Sequence, residues 1–144
     1  MRRYLPPVVI CDVDGTVALR GDRDPYNYST VHLDLPNEPI IEVVKLLVGD
    51  YRELIFVSGR ERSCFAATLA WLEKNLDNTG FEFVPAFMRA TGDNRKDAAV
   101  KREIYEQHIK DNYQVDYVLD DRNPVVEMWR SLGLVCLQVA DGNF

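Results

Sequence analysis

Short apolar runs alternate along this chain with stretches whose apolar residues recur every three to four positions. Val8-Val9-Ile10-Cys11 lies between Pro7 and the polar string Asp12-Val13-Asp14-Gly15-Thr16, and it predicts a fully buried strand. Residues 17–36 are irregular and rich in Gly, Asp, Asn, Pro and Tyr, the composition of a functional loop or a hairpin. Asn37-Glu38-Pro39 marks a helix start; Ile40, Val43, Val44 and Leu47 then follow at i, i+3, i+4 and i+7, and Gly49 closes the helix. Leu54-Ile55-Phe56-Val57 predicts a second buried strand that stops at Ser58-Gly59-Arg60. The next helix sets Phe65, Leu69, Leu72 and Leu76 on one face, and a third strand is expected over 81–87. From 97 to about 112 the spacing of Val100, Ile104 and His108 is helical. Tyr117-Val118-Leu119 is a fourth strand running into Asp120-Asp121. Asn123-Pro124 caps a helix bearing Val125, Met128, Trp129 and Leu132, which Gly133 closes, and a last strand covers 134–139.

Strand alternating with helix implies an α/β fold: a Rossmann-like parallel sheet flanked by helices and joined by right-handed crossovers. The whole of 1–144 is expected to form a single domain, with no internal repeat, low-complexity tract or linker.

Composition narrows the function classes. A net charge of −6 argues against a protein that coats nucleic acid through bulk charge, although it leaves room for a local basic pocket. Cys11, Cys64 and Cys136 are odd in number, far apart and set among apolar residues, which suits buried thiols in a reducing compartment better than a disulfide or zinc framework. The first apolar run is cut by Asp12 before it could serve as a signal-peptide core, and no run approaches membrane-spanning length. A soluble, intracellular protein is expected.

The chemistry sits where the strands end. Asp12/Asp14, Ser58/Arg60 and Asp120/Asp121 each follow a buried strand directly, so a parallel sheet delivers all of them to one rim. Lys101, preceded by Arg89 and Arg95, lies around the start of the third crossover helix. Crowded carboxylates are costly unless a cation or proton relieves them. Four acids with a hydroxyl, a lysine and arginines describe a divalent-metal phosphoryl-transfer site.

Together these strings resemble the four motifs of the haloacid dehalogenase (HAD) phosphatase superfamily. They are most similar to its polynucleotide branch, the 3′-phosphatase domain of bacteriophage-type polynucleotide kinase-phosphatases. The resemblance is carried by Asp12-Val13-Asp14-Gly15-Thr16, Arg23 before Pro25-Tyr26, Val57-Ser58-Gly59-Arg60, Gly92 through Asp97 to Lys101, and Asp120-Asp121-Arg122. Val125-Val126-Glu127-Met128-Trp129-Arg130, Leu132-Gly133 and Gln138-Val139-Ala140 extend it over nearly the whole chain. It implies an aspartyl-phosphate on Asp12 and acid/base service from Asp14. Asp120 and Asp121 would join Asp12 and the Asp14 carbonyl around Mg²⁺, with Asp121 the favoured direct ligand. Ser58 and Lys101 would contact the phosphoryl group, and Arg60 would be needed for activity. Thr16, Arg23, Gly59, Arg89 and Asp97 would belong to the substrate-binding positions.

The implied substrate is a 3′-phosphorylated DNA or RNA end, with 2′,3′-cyclic phosphate ends a further candidate. A kinase domain or a ligase would be the partner in the same pathway, and the setting would be cytoplasmic, in the host where a phage carries the gene. The insertions after the first and third strands hold only about twenty and under about ten residues, too few for a cap domain, so an open site suited to a polymer end is expected. Arg20, Arg23, Arg60, Arg62, Arg89, Arg95 and Lys96 could form a phosphate-binding lip. The chain has no Gly-Lys pair and hence no P-loop, so it should not phosphorylate 5′ ends itself. It is then either one unit of a bifunctional enzyme or a stand-alone phosphatase. A HAD phosphatase of mononucleotides or other small phosphoesters is the alternative reading. A receiver domain fits poorly, because Lys101 precedes the last acid pair. The sequence leaves DNA versus RNA and the oligomeric state open.

Overall fold

The computed structural model describes residues 3–76 and 83–144. The chain runs through strand β1 (Pro7–Cys11), a small antiparallel ribbon of β2 (Ala18–Leu19) and β3 (Leu35–Pro36), and helix α1 (Glu38–Val48). Strand β4 (Glu53–Glu61), helix α2 (Phe65–Leu76) and strand β5 (Phe83–Arg89) follow. Helix α3 (Asp97–Ile104) passes into a π-helical turn over Tyr105–Ile109, before β6 (Gln114–Asp120), α4 (Asn123–Ser131) and β7 (Cys136–Gln138). Five strands form one sheet in the order β5-β4-β1-β6-β7, and every pairing in it is parallel. The α/β reading of the sequence holds.

The first strand is central, and its pleat explains why it reads as unbroken apolar sequence. Val9 and Cys11 face a core shared with Ile41, Val44 and Val48 of α1 and Trp71, Leu72 and Leu76 of α2. Val8 and Ile10 face the opposite core, with Val100 and Ile104 of α3 and Val125, Met128 and Trp129 of α4. Both faces are dry, so no polar alternation survives. Each such side chain contributes about 1.5–3 kcal/mol by leaving water.

Several boundaries and faces differ from the sequence reading. Strand β4 does not stop at Val57. It runs on to Glu61 with an irregular register between Ser58 and Glu61, a bulge that turns Ser58 and Arg60 toward the rim. The buried stripe of α1 is Ile41, Val44 and Val48, while Val43 is exposed and Ile40 and Leu47 are half-buried. In α2, Thr68 and Trp71 are buried with Leu72 and Leu76, while Leu69 is half-buried. The π turn adds a residue after Ile104, so Ile109 rather than His108 faces the core. His108 is exposed and stacks on Phe87 instead. Asn123 is the first residue of α4 rather than its cap, and its Oδ1 accepts from Gln138 Nε2 at 2.7 Å. The expected third strand over 81–87 begins partly outside the described residues, and its described part is Phe83–Arg89. The last strand is shorter than expected, Cys136–Gln138.

Neither connection that could hold a cap carries a domain. Between β1 and α1 the chain forms the β2–β3 ribbon and a 3₁₀ turn at Val31–Leu33, and a short loop over 90–96 joins β5 to α3. No helix among the described residues is long and apolar enough to cross a membrane.

Candidate active site

The ends of β1 and β6 are stitched together by the amide of Asp12, which donates to the Leu119 carbonyl at 2.9 Å. This brings Asp12, Asp120 and Asp121 into one buried group whose ligand oxygens lie within 4.8 Å of one another. Lys101 reaches into it from α3, donating to Asp12 Oδ1 at 2.8 Å and Asp120 Oδ2 at 2.9 Å. Thr16 Oγ1 donates to the other Asp12 oxygen at 3.1 Å. The Trp129 indole adds a bond to Asp120 Oδ2 at 3.2 Å, and the Asp121 amide one to Asp120 Oδ1 at 2.9 Å. Both oxygens of Asp120 are thus occupied by donors from the protein.

The electrostatics of this group are unbalanced. Burial, reinforced by Asp120 next door, holds Asp12 well above the usual carboxylate range despite Lys101. Burial and Asp120 likewise push Asp121 up to about 6. Burial alone would lower Lys101, but Asp12 and Asp120 outweigh it and raise its pKa, so it stays an ammonium. One cation faces three carboxylates. An all-oxygen donor set of this kind suits a hard divalent ion, which would supply the missing charge.

Asp14 has been placed differently. Its carboxylate is not in the metal-compatible group but is gripped by Arg60, whose Nε and Nη2 donate at 3.0 and 2.7 Å, and by Arg23 Nη2 at 3.1 Å. Asp34 lies behind the two arginines, accepting from Arg23 at 2.9 Å on each oxygen and from Arg60 Nη2 at 2.9 Å. Thr68 Oγ1 accepts from Arg60 Nη1 at 3.0 Å, and the Trp71 indole donates to the Asp34 carbonyl at 2.8 Å. The Asp14 side chain keeps 33 % of its surface open while Arg60 and Asp34 keep almost none. Asp14 is therefore the acid that meets solvent, on a buried, charge-paired mount.

Beside this mount, the buried Ser58 accepts from the Arg60 amide at 3.1 Å. Arg89 donates to the Gly59 carbonyl at 2.9 Å, to the Asp93 carbonyl at 3.0 Å, to the Arg95 carbonyl and to Asp97, whose second oxygen is held by Arg122 at 2.9 Å. The lip expected from the sequence is therefore only partly free for phosphate. Arg23, Arg60 and Arg89 are turned inward onto acids and carbonyls, and Arg95 pairs with Asp93 and Glu103. Arg62 and Lys96 are exposed. Arg20 is exposed too, and its Nη1 donates to the Arg23 carbonyl at 2.7 Å.

Sequence reasoning missed Asp34, Thr68, Trp71 and Trp129 as parts of this site. Only Asp34 carried a usable signal, an isolated acid between two leucines. Asp34→Asn keeps its shape but leaves Arg23 and Arg60 to share Asp14 alone. It is expected to cost about 3 kcal/mol in urea denaturation, and displacing Asp14 should cut kcat about a hundredfold.

An Asp-x-Asp strand end, a lysine from the third crossover and an Asp-Asp pair on one parallel-sheet rim are the arrangement of a HAD-type phosphatase domain. The family model described as the polynucleotide kinase PNKP phosphatase domain matches residues 6–144, and the chain belongs to that family. A putative bifunctional polynucleotide kinase/RNA ligase from Autographa californica nuclear polyhedrosis virus is 37% identical over an alignment of 129 residues, with 88% of this chain and 18% of the relative covered. A chain in the structure of the Pnkp1/Rnl/Hen1 RNA repair complex is 42% identical with a TM-score of 0.88, over 97% of this chain and 44% of that one. A second Pnkp1/Rnl/Hen1 complex gives 42% identity and a TM-score of 0.89, over 99% of this chain and 49% of its match. This chain thus spans less than half the length of each of these relatives.

Proposed function

We propose that residues 1–144 form a single HAD-type domain that acts in the cytoplasm as a Mg²⁺-dependent polynucleotide 3′-phosphatase in DNA or RNA end repair. The observation that carries the proposal is the seat of Asp12. This buried carboxylate lies at the end of the central strand, held by Lys101 and Thr16, with Asp120 and Asp121 alongside. Asp12 attacks phosphorus as the P–O3′ bond breaks, and Asp14 gives its proton to the departing 3′-oxygen. Water then attacks the aspartyl-phosphate, yields its proton to Asp14, and inorganic phosphate leaves as the P–O bond to Asp12 breaks. Lys101 and the Ser58 hydroxyl hold phosphoryl oxygens, while Arg60 and Arg23 hold Asp14 in line. Arg89 and Asp97 set the loop that Gly59 shares with the substrate side.

Mg²⁺, held by Asp12 and Asp121 with Asp120 behind them, would neutralise charge gathering on the phosphoryl oxygens. Between the adjacent pair, Asp121 is favoured as the direct ligand because Asp120 already accepts three protein donors, from Lys101, the Trp129 indole and the Asp121 amide. A polymer end is favoured over a small molecule because neither the connection after β1 nor the one after β5 carries a domain-sized insertion over the rim. One relative is a putative bifunctional polynucleotide kinase/RNA ligase, and another sits in a Pnkp1/Rnl/Hen1 RNA repair complex. A kinase and a ligase are accordingly the partners proposed here.

The test is phosphate release from a 3′-phosphorylated oligonucleotide, with Mg²⁺ or EDTA, beside a 3′-mononucleotide and an oligonucleotide ending in 2′,3′-cyclic phosphate. Release from the oligonucleotide that EDTA abolishes is the expected result. Turnover of the mononucleotide alone would move the substrate to small phosphoesters and overturn the polymer reading.

A further inference from the structure

We infer that Gly142, outside every motif discussed above, is a positioning residue for Asp121. With Gly15 on the other side, it grips that residue and sets where its carboxylate meets the cation. The inference rests on the metal-dependent reading of the site.

Of the three clustered acids, Asp12 and Asp120 are pulled into place by Lys101. Packing locates Asp121. On one side stands Gly15, at φ +76°, where an added Cβ would lie 2.1 Å from Asp121 Oδ2. On the other side is the buried Gly142, where an added Cβ would lie 1.7 Å from the Asp121 carbonyl oxygen and 2.7 Å from the Arg122 Cα. Non-bonded heavy atoms settle at about 3.5–4.0 Å, so a side chain at either glycine must displace Asp121. Gly142 is not among the positive-φ glycines, so an alanine there is conformationally free and its effect is steric.

The stretch after β7 is stapled to the same peptide. Gln138 Nε2 donates to the Asp121 carbonyl, the Asn123 amide to the Gly142 carbonyl, and Arg122 Nε to the Phe144 carbonyl, each at 2.9 Å. The Val139 amide donates to the Asp120 carbonyl at 3.1 Å. Carboxylates that repel one another need such a mount if all are to face one ion. Here the returning carboxy-terminal strap provides it, because the backbone of Gly142 lies against the Asp121–Arg122 peptide with no side chain between.

The test compares wild type, Gly142→Ala, Gln138→Leu and Asp141→Ala. Mn²⁺ binding is read by electron paramagnetic resonance of the free ion, and thermal unfolding is followed in EDTA. Gly142→Ala should bind Mn²⁺ about tenfold more weakly, and the Mg²⁺ concentration that half-activates phosphate release should rise in parallel. Gln138→Leu, at an exposed position, should weaken binding in the same direction by less, and Asp141→Ala should bind as wild type. Wild-type Mn²⁺ affinity in Gly142→Ala overturns the inference. Should that variant not fold, unchanged affinity in Gln138→Leu overturns it. A wild-type protein that binds no Mn²⁺ defeats the metal reading itself, and the inference with it.

Discussion

Asp12→Asn should release no measurable phosphate from a 3′-phosphorylated oligonucleotide, a loss of at least about 10⁴-fold, because an amide cannot form the aspartyl-phosphate. The size of the effect follows from the chemistry being divided. Phosphate-monoester hydrolysis is among the slowest uncatalysed reactions, and a site that loses its covalent route retains only charge stabilisation and positioning. The same substitution should leave the unfolding temperature in EDTA unchanged or higher, since it removes one of three mutually repelling buried carboxylates. Acid quenching of wild type with a radiolabelled 3′-phosphate should trap label on the protein, and Asp12→Asn should trap none. Substantial turnover by the folded variant would remove Asp12 from the role of nucleophile.

The rim was legible in the sequence because each of its acids follows an apolar run directly, and a parallel sheet with both faces covered sends every such strand end the same way. Asp12, Asp120 and Asp121 converge for that reason, and Lys101 reaches them from α3, 89 residues after Asp12. The mount beneath Asp14 was not legible. Asp34 reaches Arg60 only because the β2–β3 ribbon folds back toward α2, and ribbons of two-residue strands leave no periodic signal. Thr68 carries no sequence signal, because along the chain a threonine that will pair with a buried guanidinium looks like any surface threonine. The arginine lip failed on the same ground: sequence does not distinguish a guanidinium that faces phosphate from one that faces an internal carboxylate. The π turn after Ile104 moved one buried position, and composition gives no warning of such a turn.

The division into a buried acid cluster and a more open acid on an arginine mount separates two jobs that one carboxylate cannot perform together. In the proposed reaction Asp12 presents negative charge to phosphorus, and the Lys101 ammonium offsets part of the cost that burial and Asp120 impose on that charge. Asp14, proposed to exchange protons with the leaving oxygen and with water, keeps 33 % of its side chain open to both.

That separation depends on Lys101, and Lys101→Met should have the second largest effect. Methionine preserves the length and apolar stem of the side chain but removes the ammonium that bonds both Asp12 and Asp120. Two consequences are expected. Phosphate release should fall by about 10³-fold, the scale of losing a preorganised charge at a developing oxyanion. In EDTA the folded state should lose about 3–5 kcal/mol, the usual result of deleting one partner of a buried ion pair. The second consequence carries a discriminating corollary. With Lys101 gone, a bound divalent ion becomes the main source of positive charge in the cluster, so saturating Mn²⁺ should raise the unfolding temperature of Lys101→Met more than that of wild type. Equal stabilisation of both proteins would mean that the ion and the ammonium do not share a carboxylate, and the assignment of Asp12 as a ligand would have to be abandoned.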